Sequence, residues 1–312
     1  MDAGGEALGM GRIWIAGGRS TPTNGLIVGA LHEQGTRAAL VDPFRLGGLV
    51  QDEDVVLARI DVRATLDGIE DGIWDLRRLE RRGIRVLNPP TALIGCHDKL
   101  ETALALARAG VPHPSTAHLR GEAPLPAFEF PLVVKPRYGS WGVDVEICES
   151  PRRLRHVLRV LHRRPWYRRH GALAQALVPP VGFDLRLLVA GGRVIGGVER
   201  VAAAGEWRTN IALGGTRRPA DPPAAARELA VAAAAAVGAD LVGVDLLPLP
   251  GGQYVVIELN GAADFTSGYS LDGTDVFDEV AAFLRRALDE REIAARAASG
   301  VPAATPLSPQ PS

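Results

Sequence analysis

Lysine is almost missing from this 312-residue chain: of 35 basic residues only Lys99 and Lys135 are lysines, and arginine fills the rest. Cysteine is equally scarce. Cys96 and Cys148 make neither a disulfide framework nor a zinc spacing. The seven histidines never fall in an HxxxH arrangement with a carboxylate beside it, which leaves a zinc hydrolase without support. No stretch approaches the roughly 20 uninterrupted apolar residues of a membrane span, and no basic and apolar leader opens the chain. A cytoplasmic protein without a membrane partner is expected. Neither sign of charge dominates, since the net charge is -1, so there is no global footprint for nucleic acid. Both common nucleotide fingerprints are absent as well. GGRSTPTNG at 17–25 is not GxGxxG, and no glycines follow the Walker pattern, which leaves a Rossmann dehydrogenase without support. What is present, 46% apolar and 23% charged residues, describes an ordinary folded protein of two domains or three small ones.

The first third alternates. A buried strand at 12–16, a glycine turn, a helix over 26–32, strands at 37–41 and 55–60, a helix over 72–82 and a strand at 85–87 predict a parallel α/β layer. Asn88-Pro89-Pro90 breaks the pattern and marks a boundary. Asp98 and Glu101 then stand at capping-box spacing before an apolar face of Leu100, Ala103, Leu104 and Ala107, and Gly110 with Pro112 closes that helix. Lys99 sits in its first turn, where the helix dipole disfavours a cation, so an anionic partner is expected. Lys135 lies on a strand at 131–136, just before the link Tyr138-Gly139-Ser140-Trp141-Gly142, whose backbone amides can fold over phosphates. A lysine ammonium is a compact point charge that an arginine fork does not reproduce. The two positions that keep it are therefore candidate anion ligands. A strand at 143–148, a helix over 151–163 and a strand at 172–178 follow. Gly191-Gly192 joins strands 183–190 and 193–200 in a hairpin that puts Asp184 and Arg186 on one face. An alanine-rich helix over 222–237 ends at Gly238, and a terminal helix over 276–295 precedes a tail rich in Pro, Ala and Ser that is expected to be disordered.

The segment LVGVDLLPLPGGQYVVIELN is the most informative. A two-residue turn at Gly251-Gly252 pairs Pro250 with Gln253, Leu246 with Ile257 and Asp245 with Glu258. Two carboxylates then oppose each other among apolar neighbours, an arrangement that a bound cation would relieve. Asn260 adds a neutral oxygen on the same face, opposite Gly243. Oxygen donors without histidine or thiolate suit Mg²⁺ or Mn²⁺. A structural acid pair with one member protonated is the alternative.

In order along the chain, CHDKLETALALARAGVPHPST, PLVVKPRYGSWGVDV, GFDLRLLVAGGRVIGGVER, EWRTNIALGG, GVDLL and IELN resemble the ATP-grasp superfamily, and within it the RimK-like glutamate ligases. The resemblance covers about residues 85 to 265. It implies an α/β fold of the α+β ATP-grasp kind, with an N-terminal parallel α/β domain (1–90), a central lid subdomain (91–170), a C-terminal subdomain with the metal site (171–296) and a tail (297–312). By position it gives the ATP phosphates to Lys99 and Lys135, with the loop of Ser140, Trp141 and Gly142. The adenine hinge falls to Gln175, Ala176, Leu177 and Val178, and the ribose to Asp184. Arg208, Thr209 and Asn210 would lie near the γ-phosphate and acceptor carboxylate, Arg186 and Arg200 at the acyl-phosphate, and Asp245, Glu258 and Asn260 on magnesium. The implied activity joins an amino acid such as glutamate to a peptide C-terminus, a carrier protein or a small metabolite carboxylate, in a homo-dimer or homo-tetramer. Another peptide or dipeptide ligase of specialised metabolism, or a catalytically silent ATP-binding module, is the competing reading. Two departures stand out: Pro179-Pro180 in a shortened hinge, and Gly261-Ala262-Ala263-Asp264-Phe265 where the family commonly has x-x-P-G.

Overall fold

The computed structural model describes residues 11–17, 21–120 and 129–298, so most of the expected tail at 297–312 lies outside the described residues. The N-terminal unit is built on β1 (Ile13–Ala16), α1 (Pro22–Glu33), β2 (Ala38–Val41), α2 (Leu46–Leu49), β3 (Val55–Ala58), α3 (Ile73–Arg81) and β4 (Arg85–Leu87). Its strands form the expected parallel sheet, in the order β2-β1-β3-β4. β1 and β3 are buried at every position, as their unbroken apolar runs require of a sheet covered on both faces.

The chain continues through α4 (Pro90–His97), α5 (Lys99–Arg108), β5 (Thr116–Leu119), β6 (Leu132–Pro136), β7 (Glu146–Cys148), α6 (Pro151–Leu161), α7 (Pro165–His170) and β8 (Ala172–Ala176). These strands make an antiparallel sheet in the order β5-β8-β6-β7. A second antiparallel sheet, β11-β10-β9-β12-β13, comprises β9 (Phe183–Ala190), β10 (Arg193–Val201), β11 (Thr216–Pro219), β12 (Leu241–Leu249) and β13 (Gln253–Asn260). It carries α8 (Ala224–Val237), while α9 (Val276–Ala298) returns to the N-terminal unit. Among the described residues no helix is long and apolar enough to cross a membrane.

The expected break at position 170 cuts through this arrangement. β8 sits between β5 and β6, because its hydrogen-bond partners lie upstream, and so the middle sheet extends to Ala176. The outer units are not separate either. Ile13, Leu57, Leu188, Ile195, Phe277 and Leu284 belong to one apolar core shared by the first sheet, β9, β10 and α9. Asn88 stitches the two units where the Asn-Pro-Pro break stands. Fully buried, it accepts from the amides of Asp240 and Leu241 (2.6 and 2.8 Å) and donates to the carbonyls of Leu241 and Gly261 (2.7 and 3.2 Å). Asn88→Ala leaves these groups without partners and is expected to cost about 3 kcal/mol, read as a lower urea midpoint at an unchanged m-value.

Two further expectations are corrected. Asp98 does cap α5, accepting from the amides of Leu100 and Glu101, but the buried positions are Thr102 and Leu106, whereas Leu104 is 40% exposed. The Thr102 hydroxyl donates to the Gly95 carbonyl at 2.6 Å, so a polar side chain turns this face inward. In the last hairpin the turn takes three residues, which shifts Gln253 onto Leu249 and Val256 onto Leu246. A bulge at Ile257 then restores Asp245 opposite Glu258. The pairing read from the sequence exists because two irregularities cancel.

Candidate active site

Between the middle sheet and the five-stranded sheet lies a cleft of about 410 Å³, and every residue to which the resemblance assigns a role lines it, from Lys99 to Asn260. The cap of α5 builds one wall. Asp98 holds Arg137 bidentately at 2.7 and 2.6 Å and accepts from the Tyr138 hydroxyl at 2.7 Å, so the end of β6 is tied to the start of α5. Lys99 and Lys135 are thereby brought to the same cleft. Lys99 finds the anionic partner its position demands: its Nζ lies 3.0 Å from Glu258 Oε1 and 2.5 Å from the Gly139 carbonyl. Lys135 Nζ donates to Gln175 Oε1 at 2.8 Å, and Gln175 donates in turn to the Thr116 hydroxyl. Burial and the neighbouring Lys99 push the Lys135 ammonium down to about 8, against the pull of Glu258 and Asp245.

The glycine-rich loop is gripped from both sides, by Lys99 at Gly139 and by Arg208, which donates to the Gly142 carbonyl at 2.9 Å. Gly142 has φ +72°, and a Cβ there would stand 2.8 Å from Asn210 Oδ1, so only glycine lets the loop close onto this segment. In the hinge the amides of Ala176 and Leu177 already bond to the carbonyls of Ser115 and Pro131.

The carboxylates are arranged differently from the expectation. Asp245 and Glu258 oppose each other across the ladder, but each turns to a cation of the protein. Arg186 reaches Asp245 bidentately at 2.6 and 2.7 Å, Arg200 adds a third bond at 2.7 Å, and Glu258 takes Lys99. Burial alone would raise the Asp245 carboxyl, yet the two guanidiniums override it and hold it at about 2. Repulsion is thus relieved by arginine and lysine rather than by a protonated acid. Asp184 is likewise committed, to Arg200 at 2.8 and 2.5 Å and to the Thr209 hydroxyl at 2.5 Å, which is at odds with a free ribose ligand. Gly243, opposite Asn260, leaves no open space, since a Cβ there would lie 2.8 Å from the Ala263 Cβ.

Several residues of the site escaped the sequence reading. Glu206 fixes Arg208 through both oxygens at 3.0 and 2.8 Å, and those bonds hold its carboxyl at about 2. Arg59, buried at the end of an apolar run, donates to Asn24, to the Ala263 carbonyl and to Asp264, and so shapes the departing loop. An arginine interrupting the apolar run 55–60 was the available signal. Arg217, Asp61, Asp264 and Tyr269 also line the cleft. The three expected metal ligands fit a hard divalent ion in the chemistry of their donors: two carboxylates and an amide oxygen, with neither imidazole nor thiolate among them, line one cleft.

A model of the RimK-like ATP-grasp domain matches residues 96–284. Mouse beta-citrylglutamate synthase B is 31% identical over 230 residues, which cover 69% of this chain and 57% of that protein. A probable alpha-L-glutamate ligase of Thioalkalivibrio sulfidiphilus is 32% identical over 239 residues, covering 75% and 76%. The solved RimK domain ATP-grasp protein of Sphaerobacter thermophilus superposes with a TM-score of 0.62 at 21% identity, covering 88% of this chain and 99% of that one. Fold, motif order and the family match agree: the chain belongs to the RimK-like ATP-grasp family.

Proposed function

We propose that the protein is an ATP-dependent carboxylate-amine ligase that forms an amide bond through an acyl phosphate. The observation that carries this reading is the convergence of both lysines with Asp245, Glu258 and Asn260 in one cleft. Lys99 and Lys135 bind the ATP phosphates, under the loop of Ser140, Trp141 and Gly142. The hinge carbonyls of Ala176 and Leu177, with Val178, border the adenine. Asp245, Glu258 and Asn260 would hold Mg²⁺ or Mn²⁺, which supplies charge neutralisation at the transferring phosphoryl group. Arg208, preset by Glu206, would meet the developing charge, while Arg186 and Arg200, whose forks are bonded to Asp245 and Asp184, lend positive charge beside the acyl phosphate. No side-chain nucleophile is needed, because positioning and charge neutralisation supply most of the catalysis. The amine is an amino acid such as glutamate, consistent with the names of both relatives. The acceptor is a peptide C-terminus, a carrier protein or a small metabolite carboxylate.

The test incubates the protein with ATP, Mg²⁺, amino acids and a panel of carboxylic acids, following phosphate release and the mass of the condensed product. Release that requires an acid and an amine together is expected. Tight ATP binding without any release would support a silent module instead.

A further inference from the structure

Among the described residues four arginines line the cleft, and three of them are spoken for. Arg186 is paired with Asp245, Arg200 with Asp184 and Asp245, and Arg208 with Glu206. The Arg217 side chain has no hydrogen bond or ion pair to any described residue. Its orientation follows from register: on β11 it pairs directly with Arg200 of β10, which pairs with Asp184 of β9, so all three share the face turned to the cleft. Its neighbour Arg218 points to the opposite face, where it bonds Glu199 and lies over the Phe183 ring.

The sheet order then separates Arg217 from the nucleotide end. Asp245 lies on β12 and Glu258 on β13, whereas Arg217 lies on the edge strand β11, three strands from β12. At strand spacing that is about 14 Å between backbones, beyond the reach of one arginine side chain. β11 packs instead against the turn Ser267–Tyr269, in the loop that follows the expected metal strand. Arg217 is therefore a guanidinium without a protein counter-ion at the end of the cleft away from Lys99 and the carboxylates.

Resting on the ligase reading, we infer that Arg217 binds a carboxylate that does not react, so that the acid substrate carries a second anionic group several ångströms from the one activated. A guanidinium fork matches a carboxylate bidentately, and Arg186 and Arg200 are already consumed by aspartates. Monocarboxylic acids leave Arg217 without a counter-ion and bind more weakly.

The experiment uses the full chain saturated with Mg-ADP and compares glutarate with pentanoate, which has the same carbon number but one carboxylate fewer, by titration calorimetry. Glutarate is expected to bind at least about tenfold more tightly, the gain of one charge-assisted contact. Arg217→Ala removes that preference without changing Mg-ADP affinity, Arg217→Lys restores part of it, and Arg218→Ala, on the other face, leaves it intact. Equal affinity for the two acids, binding of neither, or a preference that survives Arg217→Ala overturns the inference. A loss of Mg-ADP affinity in Arg217→Ala also overturns it, by moving the residue to the nucleotide. Failure of the wild type to bind Mg-ADP is read in a separate arm and strikes the ligase reading itself.

Discussion

Lys135→Met is expected to abolish most of the ATP-dependent turnover, by about 10²–10³ in kcat/KM, while leaving the protein folded and more stable at neutral pH. The two effects share one cause. The ammonium is buried beside Lys99 and is pushed down to about 8, so its charged form is disfavoured in the folded protein. Since its unfolded value is about 10.4, the penalty is full below pH 8, shrinks as pH rises through 8 to 10, and is gone above. Removing the charge should raise the melting temperature at pH 7 and leave it unchanged at pH 10.5. ATP phosphates favour the charged form, so at pH 8.5 nucleotide binding should take up protons, visible as a buffer-dependent enthalpy that the variant lacks. Wild-type turnover in Lys135→Met, or no proton uptake in the wild type, would contradict this assignment.

Asp245→Asn is expected to show the largest loss of stability, about 3–5 kcal/mol, because it leaves Arg186 and Arg200 buried without their shared counter-ion. Glu258→Gln should abolish turnover at a much smaller cost, since Glu258 is 23% exposed and, among the described residues, forms an ion pair with Lys99 alone. Contrasting the two variants separates what the acidic pair does for the fold from what it does for chemistry. The pH dependence has a defined sign. The Asp245 carboxyl is held at about 2, below its unfolded value of about 3.9, so its contribution is complete above pH 4 and lost as pH falls through 2. In Asp245→Asn this acid-side slope should flatten in urea titrations at pH 2 to 5. An equal midpoint for both variants would refute the distinction.

The alternating strands and helices of the first unit were legible because β1 and β3 are buried on both faces and carry unbroken apolar runs. The lysines were legible because their scarcity made two positions conspicuous. Less accessible was everything that depends on which partner a charged group selects. Sequence spacing brings Asp245 opposite Glu258, but it does not reveal that Arg186 on the adjacent strand, and Arg200 beyond it, reach Asp245 first. Asp184 likewise selects Arg200 and Thr209, a choice that period-two spacing does not decide. The boundary at 170 failed because β8 finds its partners backward along the chain, a long-range choice that local composition does not encode. Thr102 was passed over because an apolar count ignores a hydroxyl that satisfies a carbonyl inside the fold.

Once an acid substrate has been found by the phosphate-release screen, labelling its carboxylate with ¹⁸O and analysing the released phosphate is the most direct test of the chemistry assigned to this cleft. Transfer of one ¹⁸O into inorganic phosphate per amide formed is the predicted result. Phosphate without label, with all ¹⁸O retained in the acid or the amide, would contradict it.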